Sequence, residues 1–225
     1  MAQNNQPKHR QQARDLRRKS AKRHPIERLL IVCEGSKTEP NYLNEIRQDM
    51  RLPTANVLVL PSEIGTDPLN VVIYAERLFL HGDAHKRISA RQFDRVCAVF
   101  DRDDHHTYAA ALVKSEALNL CMQNDEKRKV PFQVVASVPC FELWLLLHFE
   151  NVLASLHRDE VYLRLKKHLP QYQKGDKGLW DLTKTHLATA QTRATSLAQV
   201  HTAAEGIKPY TNMHELIQCL TQLKN

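Results

Sequence analysis

Long apolar runs are missing from this chain. No stretch reaches the ~18 residues that a membrane-spanning helix needs. The longest candidate, FELWLLLHF from Phe141, is short and carries Glu142 and His148. The basic N-terminus has no apolar segment behind it, so no secretory signal is expected. Cysteine is sparse: five residues, an odd number with no CxxC pair, argue against a disulfide scaffold or a zinc knuckle. These absences point to a cytoplasmic protein. The phosphate-loop pattern GxxxxGK[ST] is also missing, because EGSKTE from Glu34 has the wrong spacing for an ATP-binding loop. His81 and His85 have a zinc-compatible spacing but no third ligand in a clear motif.

What is present suits a globular α/β protein. The chain has 225 residues, 42% of them hydrophobic, which is enough for a substantial core. Its net charge of +7 is unevenly placed. Residues 1–25 hold eight Lys or Arg against one acid, Asp15, whereas the remainder has 24 basic and 24 acidic residues. The basicity therefore belongs to an arm on a neutral body. Such arms contact phosphate backbones without sequence preference and weaken with salt. Arg10, Arg14, Arg17, Arg18, Lys22 and Arg23 are the candidate nucleic-acid contacts, and Arg10, Arg14, Arg17 and Arg18 have helical spacing. The plain alternative is a solubilising tail.

From Glu27 to about Phe149 strands and helices alternate. RLLIVCEG, NVLVLP, RVCAVF and FQVVAS read as four strands, with helices predicted from about Glu39, after Asp67, from Tyr108 to Met122 and through FELWLLLHF. Thr38 is available to cap the first helix and Asp67 the second. Strands separated by helices imply a mainly parallel sheet with right-handed crossovers and helices on both faces. Beyond residue 150 only helices are predicted, over Asp159–His168, Trp180–Gln199 and about Met213–Leu223. The expected organisation is an arm (1–25), an α/β domain (26–150) and a helical extension (151–225). Cys33 and Cys97, inside strand-like runs, and Trp144 and Trp180 read as core.

Ligands of open parallel sheets sit beyond the carboxyl ends of the strands. Glu34 ends the first predicted strand and Asp101 the third. Asp103, two residues on, would face the same way in extended chain, and Asp104 the opposite way. Three such carboxylates are costly as bare charge but reasonable around a hard divalent cation such as Mg²⁺. Each acid also has a simpler reading: Glu34 as a strand-end residue, Asp103 or Asp104 as a helix cap. A DxD alone also occurs in glycosyltransferases and phosphohydrolases.

The runs LIVCEGSKTEPNYL, VFDRDDH, SVPCFELWLLLHF, YQKGDKGLWDL and KPYTNMHELI, in that order, resemble the RloB-like family over nearly the whole chain after the arm. That resemblance implies a Toprim-type domain, here a four-stranded Toprim-like sheet, related to the Toprim of OLD nucleases. It also implies an anti-phage, restriction-linked setting beside an AAA-type ATPase. The Toprim signature falls on Glu34, Asp101 and Asp103. A metal-dependent nuclease is then expected, using one or two Mg²⁺ or Mn²⁺ ions and acting on DNA or RNA. Glu39 and Glu142 would help hold a second ion, Glu34 or Glu39 would act as general base, and Lys174, with Lys177, would offset transition-state charge. The simpler readings are a dipole-favoured acid for Glu39 and solvated loop lysines. His105 and His106 stay open. Asn212 and His214 fall in a family-like motif, with a cap and a helix-surface histidine as their plain roles. Two other classes compete. One is a nucleic-acid-binding or ATPase-docking subunit, inactive or conditionally active alone; the other is a DxD-dependent transferase.

Overall fold

The computed structural model describes residues 26–223. The arm, with its six candidate nucleic-acid contacts, lies outside them. A five-stranded sheet organises the chain, in the order β2-β1-β3-β6-β7. Its strands are β1 (Leu29–Cys33), β2 (Val57–Pro61), β3 (Arg95–Asp101), β6 (Phe132–Val138) and β7 (Tyr210–Thr211). A separate hairpin pairs β4 (Met122–Gln123) with β5 (Lys129–Val130). The first four strands of the main sheet are parallel; β7 adds an antiparallel edge, Ser137 opposite Thr211.

The four predicted strands are therefore present, and a fifth was not foreseen. A two-residue edge strand carries too little pattern to be read from sequence. Its neighbour Asn212 does not cap a helix. Instead its Oδ1 accepts from Ala136 N–H and its Nδ2 donates to Val134 O, both at 2.8 Å, so its amide extends the pairing along β6.

Eight α-helices complete the described residues: α1 (Thr38–Asp49), α2 (Pro68–His81), α3 (Tyr108–Leu118), α4 (Glu142–Leu146), α5 (Arg158–His168), α6 (Leu179–Thr183), α7 (Leu187–Val200) and α8 (Met213–Gln222). Strand alternation divides the core. Leu29, Ile31, Cys33, Cys97 and Val99 pack against α1, α4, α5, α7 and α8. Leu30, Val32, Val96, Ala98 and Phe100 pack against α2 and α3. The helices after residue 150 thus close one face of the sheet. Cys33, Cys97, Trp144 and Trp180 are buried as predicted.

Local chemistry explains where the helices start and stop. Asp67 caps α2 by accepting from Asn70 N–H. Thr38 does not cap α1; its hydroxyl accepts from Gly175 N–H at 2.9 Å. The helix predicted over Trp180–Gln199 is broken, because Lys184–His186 forms a tighter 3₁₀ turn between α6 and α7. FELWLLLHF yields only the five helical residues of α4, followed by a turn, and its Leu143–Leu147 run is wholly buried. His214 is buried, not on the helix surface.

Strand order fixes the place where a ligand fits. From β1 the chain goes to β2 on one side, then crosses to β3 on the other. The connections leaving β1 and β3 therefore part in opposite directions, opening a crevice at their carboxyl ends.

Candidate functional site

Five carboxylates meet in that crevice. Glu34, Glu39, Asp101, Asp103 and Glu142 line one pocket of about 310 Å³, together with Lys174 and residues 35–38. Glu34 follows the last residue of β1, and its N–H donates to Val99 O of β3. Asp101 is the last residue of β3 and is 9% exposed. Glu39 sits in the first turn of α1, and Glu142 opens α4. Gly35 makes room for this approach, since a Cβ there would strike the Glu39 carboxylate.

Asp103 arrives by a route that extended-chain reasoning did not foresee. The strand ends at Asp101, and Asp103 has φ 31°, in the left-handed region that Asp tolerates better than most residues. Two backbone bonds hold the turn, Arg102 N–H to Ser137 O at 2.8 Å and Asp103 N–H to Pro139 O at 3.0 Å. Asp104 is exposed and does not line the pocket, as predicted.

Three of the five acids, Glu34, Asp103 and Glu142, have side-chain partners. Glu34 Oε2 accepts from Asp101 N–H at 2.9 Å, and its Oε1 lies 2.8 Å from His105 Nε2. Arg158 Nη1 donates to Asp103 Oδ2 at 3.0 Å, leaving Oδ1 buried without a partner. Tyr172 Oη donates to Glu142 Oε1 at 2.9 Å, and Lys174 Nζ stands 3.5 Å from the same oxygen. Lys174 rides on the 173–178 loop, which is tied to α1. Gly178 N–H donates to Glu45 Oε1, Trp180 N–H to Glu45 Oε2 and Asn41 Nδ2 to Gly175 O. Gly175, at φ 90°, lies so close to Lys37 that a side chain there would be both strained and crowded.

Burial and crowding raise the proton affinity of Glu34, Asp101 and Glu39. Burial, reinforced by Glu39, Asp103 and Asp67, pushes Glu34 up to about 7 against the lowering effect of the Asp101 N–H. Asp101 lies well above the carboxylate range, first through burial and then through Glu39, Glu142, Glu34 and Asp103. Glu39 is raised by burial, Glu142 and Asp103, with its own N–H and Lys174 opposing. For Lys174, burial opposes the charge, but Glu142 and Cys140 prevail and its pKa is raised.

The donor set suits a hard cation: carboxylate oxygens, one of them orphaned, repelling each other in a partly dry crevice. The side chains do not stand as a finished coordination shell. Among the described residues, no group of three or more His, Cys, Asp and Glu is arranged to hold a metal ion. His105, Arg158 and Tyr172 engage the oxygens instead.

All five predicted acids and Lys174 thus line one pocket. Lys177 does not; it lines a separate pocket with Leu179 and Leu182. His106 is exposed. Sequence reasoning missed Arg158, which no motif marked, and Tyr172, whose signal was present in YQKGDKG. It left His105 undecided, and the structure places it on Glu34.

The sheet order and the switch-point acids define an open, mainly parallel α/β fold with a carboxylate crevice at the ends of its central strands. Within that class, the chain belongs to the RloB-like protein family, which it matches over residues 29–220. No curated protein and no solved structure was found to match it. None of the described helices is long and apolar enough to cross a membrane.

Proposed function

We propose that this RloB-like chain is a nucleic-acid phosphodiester hydrolase of Toprim type that depends on Mg²⁺ or Mn²⁺ and serves anti-phage defence. One observation carries the reading: Glu34, Asp101 and Asp103 converge at the switch point with Glu39 and Glu142 beside them. Glu34, Asp101 and Asp103 are the residues to hold a principal ion, with Glu39 and Glu142 adjoining a second. Such an ion supplies Lewis-acid charge and an activated water, so no serine or cysteine nucleophile is required. The chain's own residues do the rest. Glu34 or Glu39 takes a proton from the attacking water. Lys174, held at the pocket wall by Glu142, presents positive charge to the phosphate oxygens. The arm adds sequence-independent attraction for DNA or RNA.

The decisive variant is Asp101→Ala. Its expected effect is a loss of Mn²⁺-dependent oligonucleotide cleavage of roughly 10²-fold or more, the scale of single electrostatic groups in active sites. Circular dichroism should remain that of the wild type. Cleavage at the wild-type rate would remove the metal-site assignment.

A second reading rests on the engaged carboxylates. With His105 on Glu34 and Arg158 on Asp103, the chain would be inactive or only conditionally active alone. It would bind nucleic acid and dock an AAA-type ATPase that completes the site. Cleavage by the purified chain, compared with cleavage beside that ATPase and ATP, separates the two readings.

A further inference from the structure

A second pocket adjoins the acidic one. Its volume is about 550 Å³, and Arg158, Lys166, Lys174, Gln173 and Tyr162 line it together with Glu142. Glu142 and Lys174 belong to both linings, so the two pockets share a wall. Five carboxylates and two lysines, Lys37 and Lys174, line the first, whereas three cations and two carboxylates, Glu142 and Asp159, line the second.

The cations are not equally committed. Arg158 is paired with Asp103, and Lys174 stands beside Glu142. Lys166 makes no ion pair among the described residues. Its Nζ lies 4.8 Å from the centroid of the Tyr162 ring, a contact that holds the ammonium without neutralising it. The Tyr162 hydroxyl in turn reaches Tyr172 O. Of the two acids in the lining, Glu142 already serves Tyr172 and Lys174, and Asp159 lies 3.2 Å from His157. Lys166 is thus the lining cation without an ion-pair partner among the described residues, held over the Tyr162 ring.

We propose that this pocket binds a non-scissile phosphate of the nucleic-acid strand, flanking the phosphodiester in the acidic pocket; this rests on the hydrolase reading above. Lys166 is the principal contact, with Arg158 and Lys174 at the boundary between the two phosphates. Recognition by ammonium and guanidinium groups reads the backbone rather than the bases, so the pocket positions the strand without selecting sequence. It also gives the strand a direction, from the acid crevice across α5.

The test uses the full chain in EDTA, so neither a metal nor cleavage enters. Binding of a fluorescent single-stranded 12-mer is followed by anisotropy across a KCl series. Lys166→Gln should weaken binding and reduce the slope of log K against log salt by ~0.7, the value for one lost phosphate contact on a single strand. Lys167→Gln, an exposed neighbour on the same helix but outside the lining, should match the wild type. Equal affinity and slope in all three proteins would overturn the proposal. If Lys166→Gln loses affinity for inorganic phosphate yet binds the 12-mer as the wild type does, the pocket takes free phosphate and the strand assignment falls. Cleavage is assayed in parallel with Mn²⁺. A Lys166 effect on binding without any wild-type cleavage sinks the hydrolase reading alone. Asp101-dependent cleavage with no Lys166 effect sinks this proposal alone.

Discussion

Removing one charge from the acid crevice should stabilise the protein, and the size of the gain follows from Glu34. Its carboxyl titrates near 7 in the folded chain against an ordinary value of 4.5, because burial and neighbouring acids disfavour its anion. The folded state thus binds a proton more tightly than the unfolded chain, so this group's stabilising contribution is full below about pH 4.5 and is lost as pH rises through 7. At pH 8 the ionised Glu34 costs about 3 kcal/mol, whereas at pH 5 it costs less than about 1 kcal/mol. Glu34→Gln removes that cost while its amide can still accept from Asp101 N–H and donate toward His105. In EDTA at pH 8 the variant should melt roughly 6–12 °C higher than the wild type, given ~2–4 °C per kcal/mol for a domain of this size. At pH 5 the gain should shrink to a few degrees. Scanning fluorimetry at the two pH values reads both numbers. Adding Mn²⁺ should raise the wild-type melting temperature and leave the variant nearly unmoved. A variant less stable than wild type at pH 8, or a gain independent of pH, would refute the electrostatic account of the crevice.

Two further outcomes test the surroundings. Tyr172→Phe removes the hydroxyl that donates to buried Glu142 and should cost ~1–3 kcal/mol in urea denaturation, the penalty for a buried acceptor losing its donor. Tyr162→Phe, whose hydroxyl makes only a 3.5 Å contact, should cost far less. His148 supplies the opposite pH dependence. Burial holds its pKa down near 4, helped by His186 and Arg193, so the unfolded chain takes up a proton below about 6.5 and the folded chain does not until about 4. Stability is therefore lost as pH falls, by about 2 kcal/mol between pH 7 and 5 from this group. His148→Gln should reduce the acid-side loss by that amount, as read from urea midpoints at the two pH values.

Much of the candidate site was legible because its residues follow strands whose apolar runs are unmistakable. LLIVC and VCAVF are buried on both faces of a parallel sheet, so each reads as a continuous run, and an acid after such a run stands at a strand end. Glu34 and Asp101 were found that way. Glu142 was legible for the reverse reason, as a carboxylate in an otherwise apolar stretch that needs a partner. Asp103 was found by a geometric argument that the turn does not obey: its φ of 31° and two bonds to the β6 side carry it into the pocket.

The linear pattern determined the element types, the parallel strands and the acids at their ends, because these depend on neighbours within a few residues. Only the tertiary structure decided what the acids touch. Arg158 reaches Asp103 across 55 residues and Tyr172 reaches Glu142 across 30, distances over which no periodicity survives. The edge strand β7 and the amide of Asn212 depend likewise on β6 being present to pair with. The order β2-β1-β3-β6, which opens the crevice between β1 and β3, follows from how the crossovers pack. Long-range packing also sets the burial that raises the proton affinity of Glu34 and Asp101, a property the carboxylates do not have in the unfolded chain.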